Sequence, residues 1–231
     1  MSEQEVAQCI EWVTNLQRFR GHPLASSIAP AADACFSLND HLALAERRVN
    51  RLLAAASNIE NVAFKAFVND ELSARFDELS SIIRQNAVAP VDQPLEERHW
   101  ILSPSDFGFH NALQDAEGRM SFLDFEYAGW DDPAKLLADF FCQPQVPVAL
   151  DHSDAFVRAL EEAVGDFSLS LRFRQLLPLH AVKWSCILLN EFLPQEASRR
   201  RFAGIRLSAA EMQAVQLEKS RRMLAISLSF A

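Results

Sequence analysis

Apolar residues recur at helical spacing along most of the chain. In "EVAQCIEWVTNLQRF", Val6, Cys9, Ile10, Val13 and Leu16 fall on one stripe, and Gly21 and Pro23 close the segment. "NDHLALAERRVNRLLAAA" repeats the pattern, with Asn39 or Asp40 placed to cap it. A third helix is expected over residues 70–84, before Pro90 and Pro94 punctuate the chain. Three more follow in the C-terminal part. "SDAFVRALEEAV" is one, and "LRFRQLLPLHAVKWSCILLNEFL" is long, apolar and expected to be interrupted or kinked near Pro178. The last opens on "SAAE", in which Ser208 and Glu211 make a capping box.

One stretch breaks this rhythm. "NALQDAEGRMSFLDFE" holds a short apolar run, a turn from Asp115 to Gly118, and a second run through Met120, Phe122 and Leu123. That is the pattern of a β-hairpin, with its second strand ending at Asp124. Beyond it, Asp132 is placed to cap a helix whose first residue is Pro133. The polar residues here therefore lie on loops around a hairpin, between helices, where functional groups concentrate. With no repeat, low-complexity tract or long linker, residues 1–231 are expected to form a single domain, α+β and mainly α.

Composition narrows the function more than the fold. Twenty-two basic against 31 acidic residues leave a net charge of −9, which argues against general binding to nucleic acid or anionic membrane. The basic groups in "RFRQ" and at Arg199–Arg201 are expected to be solvated or salt-bridged. Cys9, Cys35, Cys142 and Cys186 are widely spaced, which suits buried thiols in a reducing compartment and not a zinc site. "MSEQEVAQCI" has no apolar core of a signal peptide, and no run approaches a membrane span. A cytoplasmic protein is expected.

"SPSDFGFHNAL" raises a chemical question. Asp106-Phe107-Gly108 spells the triplet that holds magnesium in protein kinases. Asp106 is also followed by Asn111 at the D-x-x-x-x-N spacing of a phosphoryl-transfer loop, with Asp124 at the exit of the hairpin. Folding the hairpin back would bring Asp124 towards Asn111, giving two oxygen-bearing side chains to one magnesium pocket. Asp-x4-Asn alone recurs by chance, and Asp106 and Asn111 read equally well as Asx-turn residues.

The segment "SDFGFHNAL…MSFLDFEYAGWDDPAKLLADFF" resembles the aminoglycoside phosphotransferase and choline kinase group of small-molecule kinases. Their pattern runs H-G-D-x-x-x-x-N, I-D-[WF]-E, then Gly-Asp-Pro opening a helix. The resemblance implies the C-terminal lobe of a protein-kinase-like fold, with a small β-hairpin at the catalytic site. It implies transfer of the γ-phosphoryl of ATP to a small-molecule hydroxyl, with Mg²⁺ as cofactor. Asp106 would then be the catalytic base, and Asn111 and Asp124 the metal ligands. Asp124-Phe125-Glu126, and not Asp106-Phe-Gly, becomes the counterpart of the kinase triplet. Glu126, Trp130, Asp131 and His110 are weaker candidates for substrate contact, suited to a cationic acceptor. For Asp132 and Trp130 the plainer reading is a helix cap and its packing partner.

The match is incomplete. Pro104 and Ser105 stand where the pattern has His and Gly, and Leu136 where the group often has a helix Asp; Asp139 is either its substitute or a surface residue. Six glycines supply no G-x-G loop. "NVAFKAF" resembles V-A-I-K, but Lys65 lies too few residues before Asp106 to be the strand lysine, and reads as a helix or loop lysine. An absent N-terminal lobe is therefore expected, leaving a surface that self-association or a partner chain would cover. The rival reading is a truncated or degenerate kinase-like module with a binding or regulatory role, Met1 not being the true start.

Overall fold

The computed structural model describes residues 1–193 and 208–228. It is mostly helical, with two small antiparallel sheets. The basic run at 199–201 lies outside the described residues. The chain divides into two compact units, one from Met1–His41 and Ala89–Leu176, the other from Leu42–Val88 and the chain from Leu177 onward.

The first unit begins with helix α1 (Glu3–Gln17), whose start is fixed by a capping box between Ser2 and Glu5. Val6, Cys9 and Val13 are buried, as the apolar stripe predicts, and α1 packs against helix α6 (Ser153–Val164) and strand β1 (Ile101–Ser103). Strands β2 (Ala112–Gln114) and β3 (Met120–Phe122) form the expected hairpin, pairing Ala112 with Phe122 and Gln114 with Met120. Gly118, at φ +81°, takes the left-handed turn position that glycine adopts without steric cost. Strand β3 ends at Phe122, two residues earlier than the sequence indicated.

Two glutamines of α1 tie this region together. The Gln8 amide donates to the Gly118 carbonyl (2.9 Å) and accepts from Met120 N–H (2.9 Å). The buried Gln17 does the same with both backbone groups of Leu102, at 3.0 Å each. Each side-chain amide thus supplies strand-like pairing to an edge that would otherwise bury unsatisfied backbone groups.

A second sheet was not foreseen. Strand β1 pairs antiparallel with β4 (Gly129–Asp131), and the other side of β4 receives a bridge from Pro30 to Trp130. Gly129 makes that approach possible. A Cβ there would fall 2.3–2.6 Å from backbone atoms of residues 29–31. Directly after β4, Asp132 caps helix α5 (Pro133–Cys142), accepting from Ala134 N–H at 2.8 Å, as expected. Helix α5 is buried throughout, and Phe140 packs with Phe107, Phe141 and Phe156 at the centre of the unit's core.

Helix α2 (Leu38–Ala56) starts one turn position earlier than the sequence indicated. Ser37 caps it, its hydroxyl accepting from Asp40 N–H at 3.1 Å, so neither Asn39 nor Asp40 is the cap. In the second unit, helix α3 (Val62–Ala66), a π turn (Phe67–Leu72) and helix α4 (Ser73–Gln85) run on without a break, capped by Asn61. Lys65 lies on α3, the first of the two placements, helix or loop, left open for it. Helix α7 (Leu169–Leu188) continues through Pro178, so the anticipated interruption does not occur; the neighbours Leu176, Leu177 and Leu179 are all buried, and that burial offsets the lost hydrogen bond. Helix α8 (Ala209–Leu228) opens on the predicted Ser208–Glu211 capping box. Within this unit Phe64 stacks on Phe192 at 4.3 Å, and Ser185 and Ser220 exchange hydroxyl–carbonyl bonds of 3.2 and 3.0 Å.

Candidate active site

The loop from Ser103 to Asn111 leaves β1, turns sharply and enters β2. The turn is made at Ser105, whose φ of +66° is the left-handed region that L-residues avoid, at a cost of order 1 kcal/mol. Its N–H bonds to the Ser103 hydroxyl at 3.0 Å. A short 3₁₀ turn (Phe109–Asn111) then brings His110 and Asn111 back onto Asp106. His110 Nε2 lies 3.1 Å from Asp106 Oδ1. Asn111 Nδ2 donates to the Asp106 carbonyl at 2.9 Å and lies 3.4 Å from Oδ2. The Asn111 amide nitrogen is thereby committed to Asp106, which leaves its amide oxygen available to a cation.

The hydrogen bond from His110 holds the Asp106 carboxyl below the usual carboxylate range, against the opposing pull of partial burial and of Asp139. Asp106 is therefore an ionised acceptor at neutral pH, with 42% of its side chain exposed.

Asp124 enters from the other arm of the hairpin. Leu123 N–H bonds to the Asn111 carbonyl at 2.9 Å, one step beyond the Ala112–Phe122 pair, so the backbone leading into Asp124 runs beside Asn111. Asp124 is exposed and has φ +63°, a second left-handed non-glycine position in the same small region. Aspartate tolerates that conformation better than most residues. The adjacent Tyr127 hydroxyl has its pKa raised first by its hydrogen bond to Glu126, and also by the charges of Glu126, Asp124 and Asp106, which places all three carboxylates within electrostatic reach of one phenol.

The Asp124 loop is held by an aromatic sandwich. Trp12 of α1 stacks on Phe107 (5.4 Å, 16°) and on Phe125 (5.4 Å, 7°). Each such pair contributes about 0.5–1.5 kcal/mol beyond simple burial. Leu113, Leu123, Phe125 and Tyr127 remain exposed around Asp124 and Glu126, an apolar and acidic rim.

The remaining candidates divide. Glu126 lies exposed on the Asp124 loop. Trp130 is in β4, its indole N–H donating to the Ala25 carbonyl at 3.1 Å. Asp131 has no exposed surface; it accepts from Cys35 N–H (2.9 Å) and pairs with Lys135 Nζ (2.7 Å), so the substrate contact expected of it is not available. The His110 ring is only 5% exposed and is spent on Asp106. Asp139 is buried on α5, 3.8 Å from Lys135, which removes the surface reading left open for it.

Behind the loop lies a buried charge network that the sequence reading missed. Burial alone would lower the Lys135 pKa, but Asp131 and Asp139 outweigh it and hold the ammonium charged. Arg172, from "RFRQ", bridges Asp132 (2.9 Å) and Asp166 (2.7 Å), while His41 Nε2 lies 3.3 Å from Asp132. The signal was present: Lys135 and Asp139 stand four residues apart on an otherwise apolar helix, the spacing of paired charges, and Asp131 lies four residues before Lys135 at the end of β4.

Asn111 and Asp124 are the two oxygen-bearing side chains that the sequence pattern offers to a divalent cation. Among the described residues no group of three or more His, Cys, Asp or Glu side chains is placed to hold a metal. Two protein ligands fit Mg²⁺, which keeps several waters and binds substrate phosphates, and do not fit a metal that needs a closed protein cage.

No protein-family model matches the chain, and no curated protein matches it in sequence. Solved structures do. An ethanolamine kinase from Plasmodium vivax superposes with a TM-score of 0.54 at 16% identity, over 98% of this chain and 61% of the kinase. A choline kinase from Cryptosporidium parvum superposes with a TM-score of 0.52 at 11% identity, over 96% of this chain and 66% of the kinase. The chain has the fold of these small-molecule kinases. A spectinomycin phosphotransferase matches less closely, with a TM-score of 0.48 at 12% identity. The chain thus spans about two thirds of the length of the kinases it superposes on. Among its described residues, no helix is long and apolar enough to cross a membrane.

Proposed function

We propose that this chain carries the acceptor- and metal-binding part of a small-molecule phosphotransferase, which moves the γ-phosphoryl of ATP to a hydroxyl group. The observation that supports the reading is the contact of Asn111 with Asp106 at a hairpin whose other arm leads into Asp124, on a fold shared with ethanolamine and choline kinases. Asp106 accepts the proton of the acceptor hydroxyl, and Asn111 and Asp124 hold Mg²⁺. The metal, when bound, offsets the charge of the triphosphate. The rim of Leu123, Phe125 and Tyr127 beside Glu126 favours an acceptor with a cationic head, which aromatic faces and a carboxylate attract together. A further lobe, on the same polypeptide or on a second chain, closes over the nucleotide. All four cysteines are buried thiols, which supports a reducing compartment, and we place the protein in the cytoplasm.

The test is ³¹P NMR of phosphoryl transfer from ATP and Mg²⁺ to a panel of amino alcohols that includes choline and ethanolamine. A phosphomonoester resonance is expected with at least one acceptor, absent with EDTA. Asp106→Asn should slow its formation ~10²–10⁴-fold, the range of general-base contributions. Transfer that persists undiminished in Asp106→Asn contradicts the assignment.

A further inference from the structure

Asp106 is held by one side chain whose geometry has no other use. Among the described residues, Asp106 is the only hydrogen-bond partner of the His110 ring, at 3.1 Å through Nε2. The other nitrogen, Nδ1, is buried and has no partner among the described residues. It sits against Gly108, where an added Cβ would lie 2.9 Å from Nδ1 and 3.1 Å from Cε1. That packing fixes the ring plane and dictates its tautomer. An ionised carboxylate only accepts, so Nε2 must carry the hydrogen, and a hydrogen on Nδ1 would be an orphaned buried donor.

Resting on the phosphotransfer reading above, we propose that His110 is a positioning residue which anchors Asp106 Oδ1 and leaves Oδ2 as the oxygen presented to the acceptor. Asp106 needs such an anchor. Its side chain is 42% exposed, and its one other side-chain contact, from Asn111 to Oδ2, is long at 3.4 Å. An unanchored aspartate rotates among staggered χ1 states, whereas proton acceptance requires one oxygen within about 2.6–3.2 Å of the hydroxyl. Gly108 belongs to the same device, because only a residue without Cβ leaves the ring its place.

The experiment has two arms. In ¹⁵N-histidine-labelled full-length protein, the His110 ring should show the Nε2–H tautomer, and Asp106→Ala should shift its resonances. A neutral ring with its hydrogen on Nδ1, or ring resonances unmoved by Asp106→Ala, overturns the contact. In the transfer assay, His110→Leu should lower kcat ~10–100-fold with KM little changed, the scale of a misplacement of about 1 Å. His110→Gln, which keeps an N–H donor, should recover part of the loss, and Gly108→Ala should lower kcat by displacing the ring. Turnover of His110→Leu equal to wild type overturns the positioning role. If wild type transfers phosphate to no alcohol, the phosphotransfer reading and the positioning role fall together, while the ring spectrum still decides the contact.

Discussion

Asp132 does three structural jobs in a side chain that is almost fully buried. Its Oδ1 caps α5 through Ala134 N–H (2.8 Å) and meets Arg172 Nη2 (2.9 Å), while Oδ2 meets Arg172 Nε and His41 Nε2, both at 3.3 Å. Burial alone would raise its pKa, but Arg172 and His41 outweigh that and hold the carboxyl well below the usual range. Asp132→Ala removes the cap, worth about 1 kcal/mol. It also leaves the buried His41 and the partly buried Arg172 short of their anion, which costs ~3–5 kcal/mol. Arg172 keeps Asp166 at 2.7 Å, which argues for the low end. The expected loss is therefore about 4 kcal/mol for Ala. It is ~3 kcal/mol for Asn, whose carbonyl can still cap the helix but whose amide cannot pair the charges.

Urea unfolding followed by tryptophan fluorescence measures this, with Trp12, Trp100 and Trp130 in the same unit as Asp132 and Trp184 reporting on the other. Its pH dependence supplies a second check. Burial pushes the His41 pKa down, but the Cys35 sulfur and the Asp132 carboxylate outweigh it and leave it at about 10, above the 6.5 of a free imidazole. The folded state thus binds a proton between those values that the unfolded chain does not. This stabilisation is complete below pH 6.5 and is lost as pH rises through about 10, with a slope of up to ~1.4 kcal/mol per unit. The Asp132 contribution has the opposite sense, present above the ordinary carboxylate pKa and lost as pH falls below it. Removing Asp132 should shrink the alkaline decline. The reasoning is refuted if Asp132→Ala unfolds within 1 kcal/mol of wild type at pH 7, or if its alkaline slope is unchanged.

Two other substitutions test the scaffold. Gly129→Ala would force a methyl into the backbone of residues 29–31 and strain the Ala31–Trp130 and Trp130–Ala29 hydrogen bonds of 2.9 and 3.1 Å; a loss of ~2 kcal/mol or more is expected in thermal unfolding, and a loss under 0.5 kcal/mol would deny the close approach. Ser105→Gly relieves the left-handed strain and keeps the backbone bond to Ser103, so it should stabilise by up to ~1 kcal/mol in urea, whereas a loss would mean that the Ser105 side chain does more than tolerate the turn.

The helices were legible because each spends its apolar residues on one face, and capping chemistry marked several ends, as at Ser208 and Asp132. The hairpin was legible from its turn, with Gly118 at the one position that demands positive φ. The β1–β4 sheet was not. Its strands are three residues long, β1 is buried throughout and so shows no alternation, and its pairing joins Ile101 to Asp131 across the whole hairpin. The helix before residue 70 was missed for another reason: the π turn at Phe67–Leu72 shifts the apolar face and breaks the 3.6-residue period. At the candidate site, the D-x-x-x-x-N spacing singled out Asp106 and Asn111, whose contact the fold makes, and the hairpin pattern singled out Asp124. The partner of His110 could not be read, because the 3₁₀ turn that swings its ring onto Asp106 leaves no periodic trace.

The most direct test of the central assignment is nucleotide binding, measured as a thermal shift with ATP, with and without Mg²⁺, on wild type and on Asp124→Asn. Ligand at about 100 times its Kd stabilises a fold by ~2.7 kcal/mol, an easily measured rise in Tm. The account predicts a magnesium-dependent rise in wild type that Asp124→Asn loses without a fall in its own unliganded Tm. A rise of equal size in both proteins, or one indifferent to Mg²⁺, would contradict the assignment of Asp124 as a metal ligand.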